Sequence, residues 1–185
     1  MAAPKDMTTL DISGVFYMNK SLGDDLSEVF VLQGMSWITR KALGVANITL
    51  HISHKKNDAG VEVIDIDQTL SGGIKGTSEH REMDYEERGH EDHIFGKVVG
   101  KSRRLAIADV KDDHLRSGFP EELNAEGLIE SIVENAENDW IAHQVWGFEN
   151  IGGEKRYVRH LVLTCPNRGK RLEKKMVYDY KGPLN

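Results

Sequence analysis

The chain of 185 residues carries 24 basic and 30 acidic side chains, and its net charge of −6 argues against a nucleic-acid-binding surface. Hydrophobic residues make up 39% of it, and no run of about 18 uncharged apolar residues is present that would predict a membrane span. The N-terminus MAAPKDMTTLD lacks the apolar region of a signal peptide, and the single cysteine, Cys165, excludes an intramolecular disulfide. We therefore expect a cytoplasmic protein with a flexible tail at residues 1–9 and one domain at residues 10–185.

A pair of helices is predicted directly after the first strand. Residues 12–19 are rich in β-forming residues, and apolar side chains then recur at helical spacing from Leu22 to Phe30. Gly34 is expected to end the first helix, and Gly44 the second. Two helices of this length form a helical hairpin rather than a domain of their own.

After the helical pair, the sequence alternates between short strands and turn residues. NITLHISHK and VEVIDIDQTL flank the turn NDAG, and a further strand is predicted at about 74–84. HIFGKVVGKSRRLAIADV predicts two strands around Gly100, and DWIAHQVWGFEN, KRYVRHLVLTC and RLEKKMVYDY predict three more. Segment 111–137 interrupts this rhythm, and the apolar spacing from Leu128 to Ala136 predicts a partly helical insertion across an opening.

These elements predict a mainly β fold. About nine to ten antiparallel strands in meander order are typical of a single up-and-down β-barrel, because closing the sheet removes its exposed edges. A barrel of this size can hold a small ligand. The helical pair, a helix-turn-helix after the first strand, would then cover one open end as a lid and bury its apolar stripe there.

Alternation along the predicted strands brings aromatic and polar side chains onto shared faces. The strand DWIAHQVWGFEN places two tryptophans, a phenylalanine and a glutamine on one face, which would line the cavity. Trp37 is assigned to the apolar underside of the lid. The residues that we expect to contact a ligand are Trp37, His80, Trp140, Gln144, Trp146, Phe148, Tyr157, Arg159, Met176 and Tyr178.

Two polar clusters allow two interpretations each. HEDH contains metal-binding residue types, but His90 and His93 would point to opposite faces of a strand, so a solvated strand entry is favoured and no metal site is expected. Ser78, His80 and Glu82 share one face, which could supply an acid and a base to the cavity or form an outward ladder of charged pairs. No phosphate loop, zinc pattern or dinucleotide fingerprint is present, so no cofactor is expected.

The most specific pattern is the block GVFYMNKSLGDDLSEVFVLQGMSWITRKALGVANITLHIS. Gly14 and Phe16 stand in its first strand, and Gly34 precedes Arg40 and Lys41 with the spacing G-x-x-x-x-x-R-K. This block resembles the start of the intracellular fatty-acid-binding proteins, which have a G-x-W strand there. IKGTSEHREMDYEE resembles their fourth strand, and KKMVYDYKG their last. Because the chain is longer than that family, it more closely resembles a lipocalin-like, largely uncharacterised branch of the same calycin group.

The resemblance implies a barrel around a hydrophobic molecule, with one departure. The family commonly ends with an R-x-Y pair that binds the ligand carboxylate, whereas the triplet here is Met176, Val177 and Tyr178. A buried carboxylate without a partner is costly. Arg156 and Arg159 are candidates to replace the lost arginine, and their spacing lets only one of them face inward. A ligand less acidic than a fatty acid is equally consistent.

Three functions remain open from the sequence. The first is a cytoplasmic carrier of a hydrophobic small molecule, such as a lipid or a secondary metabolite, held inside the barrel. The second is a cofactor-independent enzyme, either a cyclase, a (4+2) cycloaddition included, or an isomerase, in which the barrel folds a flexible metabolite and Tyr, His or Arg polarises a carbonyl. The third is an interaction module with a filled barrel and an exposed apolar patch. The expected partner is a hydrophobic small molecule, without nucleic acid; the sequence predicts no oligomeric state.

Overall fold

The structure is a computed structural model that describes residues 1–72 and 76–184. Its ten strands belong to one antiparallel sheet. In chain order the elements are β1 (Gly14–Met18), α1 (Ser27–Leu32), α2 (Trp37–Val45), β2 (Ile48–Lys56), β3 (Glu62–Leu70), β4 (Ser78–Glu82), β5 (Arg88–Asp92), β6 (Gly96–Leu105), α3 (Asp113–Arg116), β7 (Leu128–Asn135), β8 (Trp140–Ile151), β9 (Glu154–Cys165) and β10 (Lys170–Gly182).

The sheet is a meander that curls on itself and leaves one side open. Its strand order is β4-β3-β2-β1-β10-β9-β8-β7-β6-β5, so the first and last strands of the chain pair with each other. Strands β4 and β5 are the two edges, and within the described residues no backbone ladder joins them. A side-chain ion pair of 3.3 Å between Arg88 and Glu82 links these edges. The predicted mainly β fold with a helical pair after the first strand is confirmed, as a curled half-barrel.

The core lies inside the curl because alternate side chains of every strand point there. Phe16 on β1 is fully buried, and its ring centre lies 5.1 Å from that of Tyr157 and 5.3 Å from that of Tyr180. Other buried inward residues are Leu50, Ile52, Ile64, Ile66, Trp140, Trp146, Phe148 and Leu161. These side chains fix which face of each strand looks into the interior.

Segment 111–137 differs from the prediction. Its α-helical part is the short α3, whereas residues 128–135 form β7 instead of a helix. Leu128 and Ile129 are both fully buried, one on each face, because the preceding segment packs Leu115 and Phe119 against the outer wall of the sheet. A strand that is covered on both faces does not alternate between apolar and polar side chains, so the spacing of its apolar residues can resemble that of a helix. The segment therefore covers the outer wall and not an opening.

Two more boundaries differ from the prediction. HIFGKVVGKSRRLAIADV forms one strand, β6, from residue 96 onwards, and Gly100 lies within this strand instead of between two. Helix α1 begins only at Ser27, because the Asn19 side chain accepts hydrogen bonds from the backbone of Ser21 and Leu22 and holds that stretch in a turn. The strand predicted at about 74–84 is β4, and its predicted start at 74–75 lies outside the described residues.

The first nine residues, expected to be a flexible tail, contact the sheet along their length. Ala3 N donates to Lys155 O at 2.7 Å, and the Thr9 hydroxyl donates to Gly127 O at 2.7 Å. Thr9 is fully buried. These bonds hold the segment over the end of the sheet that is remote from the helical pair.

A buried ion-pair network closes that same end. Glu62 accepts from His54 Nε2 at 2.7 Å and from Arg104, whose guanidinium also donates to Thr9 O at 2.6 Å. The backbone N–H of Ile12 donates to His54 Nδ1 at 3.2 Å, so the ring proton lies on Nε2. Burial raises the pKa of the Glu62 carboxyl, but the hydrogen bonds from His54 and Arg104 outweigh it and lower this pKa to about 2.

Glu62 should therefore contribute an acid-sensitive part of the stability. Its folded-state pKa of about 2 lies below its usual value of 4.5, so the stabilisation is complete above pH 4.5 and is lost as the pH falls towards 2. We expect the free energy of unfolding in urea to fall between pH 4.5 and pH 2 in the wild type. This fall should be on the order of 2 kcal/mol larger than in Glu62→Gln. Glu122→Gln, a change at an exposed carboxyl, is the control. If the free energy of unfolding falls equally with pH in the wild type and in Glu62→Gln, this assignment is wrong.

Candidate functional site

Two cavities lie next to the sheet. The larger, about 630 Å³, extends from the wall formed by β6, β7 and β8 inside the curl to the open edge at β4 and β5, and its mouth includes outward-facing side chains of β4. The smaller, about 470 Å³, lies between the helical pair and strands β1 and β10. The larger cavity is the candidate site because inward charged and polar side chains converge on it.

A charged pair on β4 forms one wall of the larger cavity. The register with β3 places Glu79 opposite Ile66 and Arg81 opposite Ile64, so both charged side chains share the inward face. Arg81 donates to Glu79 Oε2 from Nε at 2.9 Å and from Nη2 at 2.6 Å. The Arg81 guanidinium carbon lies 5.5 Å from the ring centre of Trp146, on the opposite side of the interior.

A second guanidinium lies deeper, beside the cavity. Arg159 on β9 is 5% exposed, and its guanidinium carbon lies 4.0 Å from the ring centre of Trp146. Its Nε donates to the Tyr157 hydroxyl at 3.0 Å, whereas its Nη2 has no hydrogen-bond partner among residues 1–72 and 76–184. Burial lowers the pKa of Arg159, but Tyr157, Tyr178 and Glu79 outweigh it and raise this pKa, so the group stays charged.

The charges around Trp146 do not cancel. Burial raises the pKa of Glu79, but Arg81 and Arg159 outweigh it and lower this pKa, so the side chain is a carboxylate. Burial also raises the pKa of the Tyr157 hydroxyl, which stays neutral. Around Trp146, two guanidinium groups thus face one carboxylate. The rest of the cavity lining adds charges of both signs: Asp65, Asp67, Glu82, Glu86, Arg88 and Lys101. In the water-poor interior around Trp146, the excess positive charge favours an electron-rich or anionic oxygen of a ligand.

Uncharged polar groups follow β7 and β8 towards the helical end of the cavity. Gln144 lines the cavity, and its Oε1 accepts from Trp146 Nε1 at 3.0 Å. Farther along, Trp140 also lines the cavity. Trp140 Nε1 is buried, as is the hydroxyl of Ser131, which stands opposite Gln144 in the register of β7 and β8, and neither has a hydrogen-bond partner within the described residues. These groups can bind ligand oxygens along one wall.

The ten expected ligand residues fall into three groups. His80, Trp140 and Gln144 line the larger cavity. Trp37 and Met176 line the smaller one. The others form a packed cluster that borders the larger cavity without lining either of the two: Trp146, Phe148, Tyr157, Arg159 and Tyr178.

Two of the expected ligand residues are placed differently from the expectation. His80 lies on the outer face of β4, where its Nδ1 pairs with Asp65 at 2.6 Å, as in the alternative of an outward charge ladder. Trp37 is 61% exposed, with Lys41 Nζ 4.4 Å from its ring centre, and is not on a buried underside of the lid. Its position on the first turn of α2 turns the ring towards solvent and not towards the core.

Arg159 and Arg156 separate as their spacing requires. Arg159 faces the interior, and Arg156 faces outward and pairs with Asp179 and Glu154. Arg159 stands directly opposite Met176 in the register of β9 and β10. Its guanidinium therefore lies next to Met176, the position at which the sequence resemblance led us to expect an arginine.

The remaining sequence motifs carry no further site. His90 lies on β5, opposite Val98, and lines the larger cavity, and His93 lies in the following turn. In the described part of the chain, no group of three or more His, Cys, Asp or Glu side chains is placed to bind a metal ion. Residues 1–72 and 76–184 also include no helix with the length and apolar character that crossing a membrane requires.

Comparisons with known proteins find similarity to two kinds of protein. No family model matches the sequence. A probable pericyclase, scpY, from Mollisia scopiformis is 29% identical over 98% of this chain and 96% of its own length. The pericyclase pydY from an Acremonium species is 29% identical over 99% of this chain and 98% of its own.

Solved structures define the fold. A Schistosoma mansoni fatty-acid-binding protein in complex with arachidonic acid matches with a TM-score of 0.54 and 12% identity over 92% of this chain and 96% of its own. Human cRBP IV matches with a TM-score of 0.52 and 14% identity over 92% of this chain and 98% of its own. A fatty-acid-binding protein from brain tissue of Drosophila melanogaster matches with a TM-score of 0.53 and 13% identity over 91% of this chain and 99% of its own. The chain therefore has the calycin-type fold of the fatty-acid-binding proteins.

Proposed function

We propose that the protein is a cofactor-independent pericyclase that binds a flexible hydrophobic molecule in the larger cavity and accelerates its ring closure. The observation that carries this proposal is a pair of inward-facing guanidinium groups, Arg81 lining the cavity of about 630 Å³ and Arg159 beside it, which share the single inward-facing carboxylate of Glu79. Full-length similarity to two proteins named pericyclases supports it. We expect it to act in the cytoplasm, because its cysteine is a buried free thiol.

The chemistry needs no group that the chain lacks. In a (4+2) cycloaddition, two new carbon–carbon σ bonds form as three π bonds of a diene and an alkene become one. No atom, proton or electron enters or leaves, so the product is an isomer of the substrate. The protein has to hold the two ends together in a reactive conformer. The conformational entropy of the substrate is then lost on binding and no longer adds to the barrier of the reaction. It can also polarise a carbonyl on the alkene, which makes that alkene more reactive.

Arg81 is the group best placed for polarisation. Its Nε and Nη2 are bound to Glu79, and its Nη1 points across the cavity towards Gly100. A Cβ at Gly100 would lie 3.8 Å from Nη1, an ordinary van der Waals distance, so Nη1 reaches close to the β6 wall of the cavity. Glu79 fixes the orientation of the guanidinium, and Arg159 adds to the positive potential from behind Trp146. A carbonyl at this wall would be hydrogen-bonded by a charged donor.

A carrier for a hydrophobic acid is the second candidate. The Arg159 guanidinium is buried, its Nη2 has no partner among the residues that the structure describes, and the Tyr178 ring centre lies 5.5 Å from its guanidinium carbon. This group would suit a carboxylate, and the fold is shared with fatty-acid-binding proteins. The two functions use the same interior and differ in whether the ligand leaves unchanged. A ligand-free interaction module is disfavoured because the interior retains a cavity of about 630 Å³.

The test is conversion of a natural substrate. Purified protein is incubated with a small-molecule extract from the source organism carrying a deletion of this gene, with heat-denatured protein as control and a metal chelator in both. We expect one conjugated compound to disappear and an isomer of equal mass, with fewer conjugated double bonds, to appear. An extract that stays unchanged while one of its compounds is retained by the protein would overturn the enzyme in favour of the carrier.

A further inference from the structure

The helical end of the larger cavity contains a buried donor to which no described residue bonds. Trp140 is 2% exposed and lines the cavity, and its Nε1 has no hydrogen-bond partner in the described part of the chain. Asn135, its register partner on β7, bonds elsewhere: its Nδ2 donates to Phe95 O at 2.7 Å, and its Oδ1 accepts from Asn138 N at 2.8 Å and not from Trp140. A buried indole N–H without an acceptor costs free energy, so an acceptor from a ligand is expected there.

Gln33 is held at the same end of the cavity. It forms the C-terminal cap of α1, is 9% exposed and lines the cavity together with Trp140. Arg168 Nη2 donates to Leu32 O at 2.8 Å and to Asn138 O at 2.9 Å, which ties the end of α1 to the turn that precedes Trp140. An amide side chain can both donate and accept, so Gln33 suits a neutral oxygen group.

This end is well separated from the charged wall. Trp140 and Gln144 lie on the same face of β8, four residues apart, which is about 13 Å along a strand. The cavity surface between them includes the apolar side chains of Ala142, Val133 and Val98. The cavity thus has a charged end near Arg81 and Gln144, an apolar middle and a neutral polar end.

We propose that Trp140 and Gln33 form a second subsite, which binds a neutral hydroxyl or carbonyl oxygen at the end of the ligand remote from the group held at Arg81. This inference rests on the proposed function, because the second subsite lies in the same cavity. It specifies the class of substrate. The substrate is an apolar chain with an oxygen function at each end. A plain hydrocarbon tail would leave Trp140 Nε1 unsatisfied.

The experiment compares the affinities of two probes for the wild-type protein and for matched variants. Dissociation constants of dodecanoic acid and omega-hydroxydodecanoic acid are determined by displacement of anilinonaphthalenesulfonate from the full-length protein. We expect the ratio of the constants, hydroxy acid over plain acid, to rise about fivefold in Trp140→Phe, because the ring is kept and one hydrogen bond is lost. Gln33→Leu should raise the same ratio. Trp37→Phe, at an exposed tryptophan of the smaller cavity, should leave it unchanged.

The outcomes separate the subsite from the function. If both acids bind and the ratio is the same in wild type, Trp140→Phe and Gln33→Leu, the polar end holds water or nothing and the second subsite is wrong, while the proposed function stands. If neither acid nor the sulfonate probe binds the wild-type protein, the cavity is not a ligand site and both proposals are overturned.

Discussion

Replacing Arg81 with glutamine should slow ring closure by about a hundredfold while the protein stays folded. The substitution replaces the charged donor that stabilises electron density on a polarised carbonyl with a shorter, neutral amide, and loss of one preorganised charge-stabilising group typically costs a factor of this size. Arg81 is also partly solvated, with 13% of its side chain exposed, so its removal leaves no large void. The measurement is kcat/KM for conversion of the substrate identified from the extract.

The control for this variant is Arg171→Gln, which removes an exposed arginine paired with Asp112 and Glu173 on the outer surface. We expect it to retain wild-type activity, and both variants to have melting temperatures near that of the wild type. Wild-type kcat/KM in Arg81→Gln would show that the charged wall takes no part in the reaction and would leave confinement alone as the source of rate.

The largest effect on stability is expected at Trp146. Its ring is fully buried, contacts the Arg159 guanidinium and donates from Nε1 to Gln144 at 3.0 Å. Trp146→Ala leaves a large void and removes the aromatic cover of a buried cation, so we expect a loss of about 4 kcal/mol in the free energy of unfolding. Urea denaturation monitored by circular dichroism provides the value.

Two further substitutions calibrate that result. Trp146→Phe keeps most of the packing and should cost clearly less than Trp146→Ala, and Trp37→Ala, at a side chain that is 61% exposed, should change the free energy of unfolding by less than about 0.5 kcal/mol. A loss below about 1 kcal/mol for Trp146→Ala would mean that the aromatic cluster around Arg159 is not tightly packed.

The fold could be predicted because its signals are local. Turn residues between alternating segments, and one helical pair after the first strand, are sufficient for an antiparallel meander. Strand β7 could not be recognised by the same rules. Its outer face is buried by Leu115 and Phe119, which lie in a segment whose docking depends on the finished sheet. Tertiary contacts, not the pattern of β7 itself, explain its apolar spacing.

The charged wall could not be located from the sequence for a related reason. On β4, alternate side chains point to opposite faces, so Glu79 and Arg81 share one face and His80 lies on the other. Because the side chains on both faces are polar, the sequence does not show which face points inward. The register with β3 decides the face, and β3 itself has a buried Val63 beside a buried Ile64. Arg159 was easier to find, because its spacing from Arg156 allows only one of the two to face inward.

The most direct test of the central claim is the identity of the molecule that the protein releases. The protein is incubated with the extract from the deletion strain, isolated as a complex by native mass spectrometry, and then denatured so that the bound compound can be characterised. Ring closure predicts a released compound with the mass of the acyclic precursor but with a new ring. Release of the unchanged acyclic compound after long incubation would contradict catalysis and leave the protein a carrier.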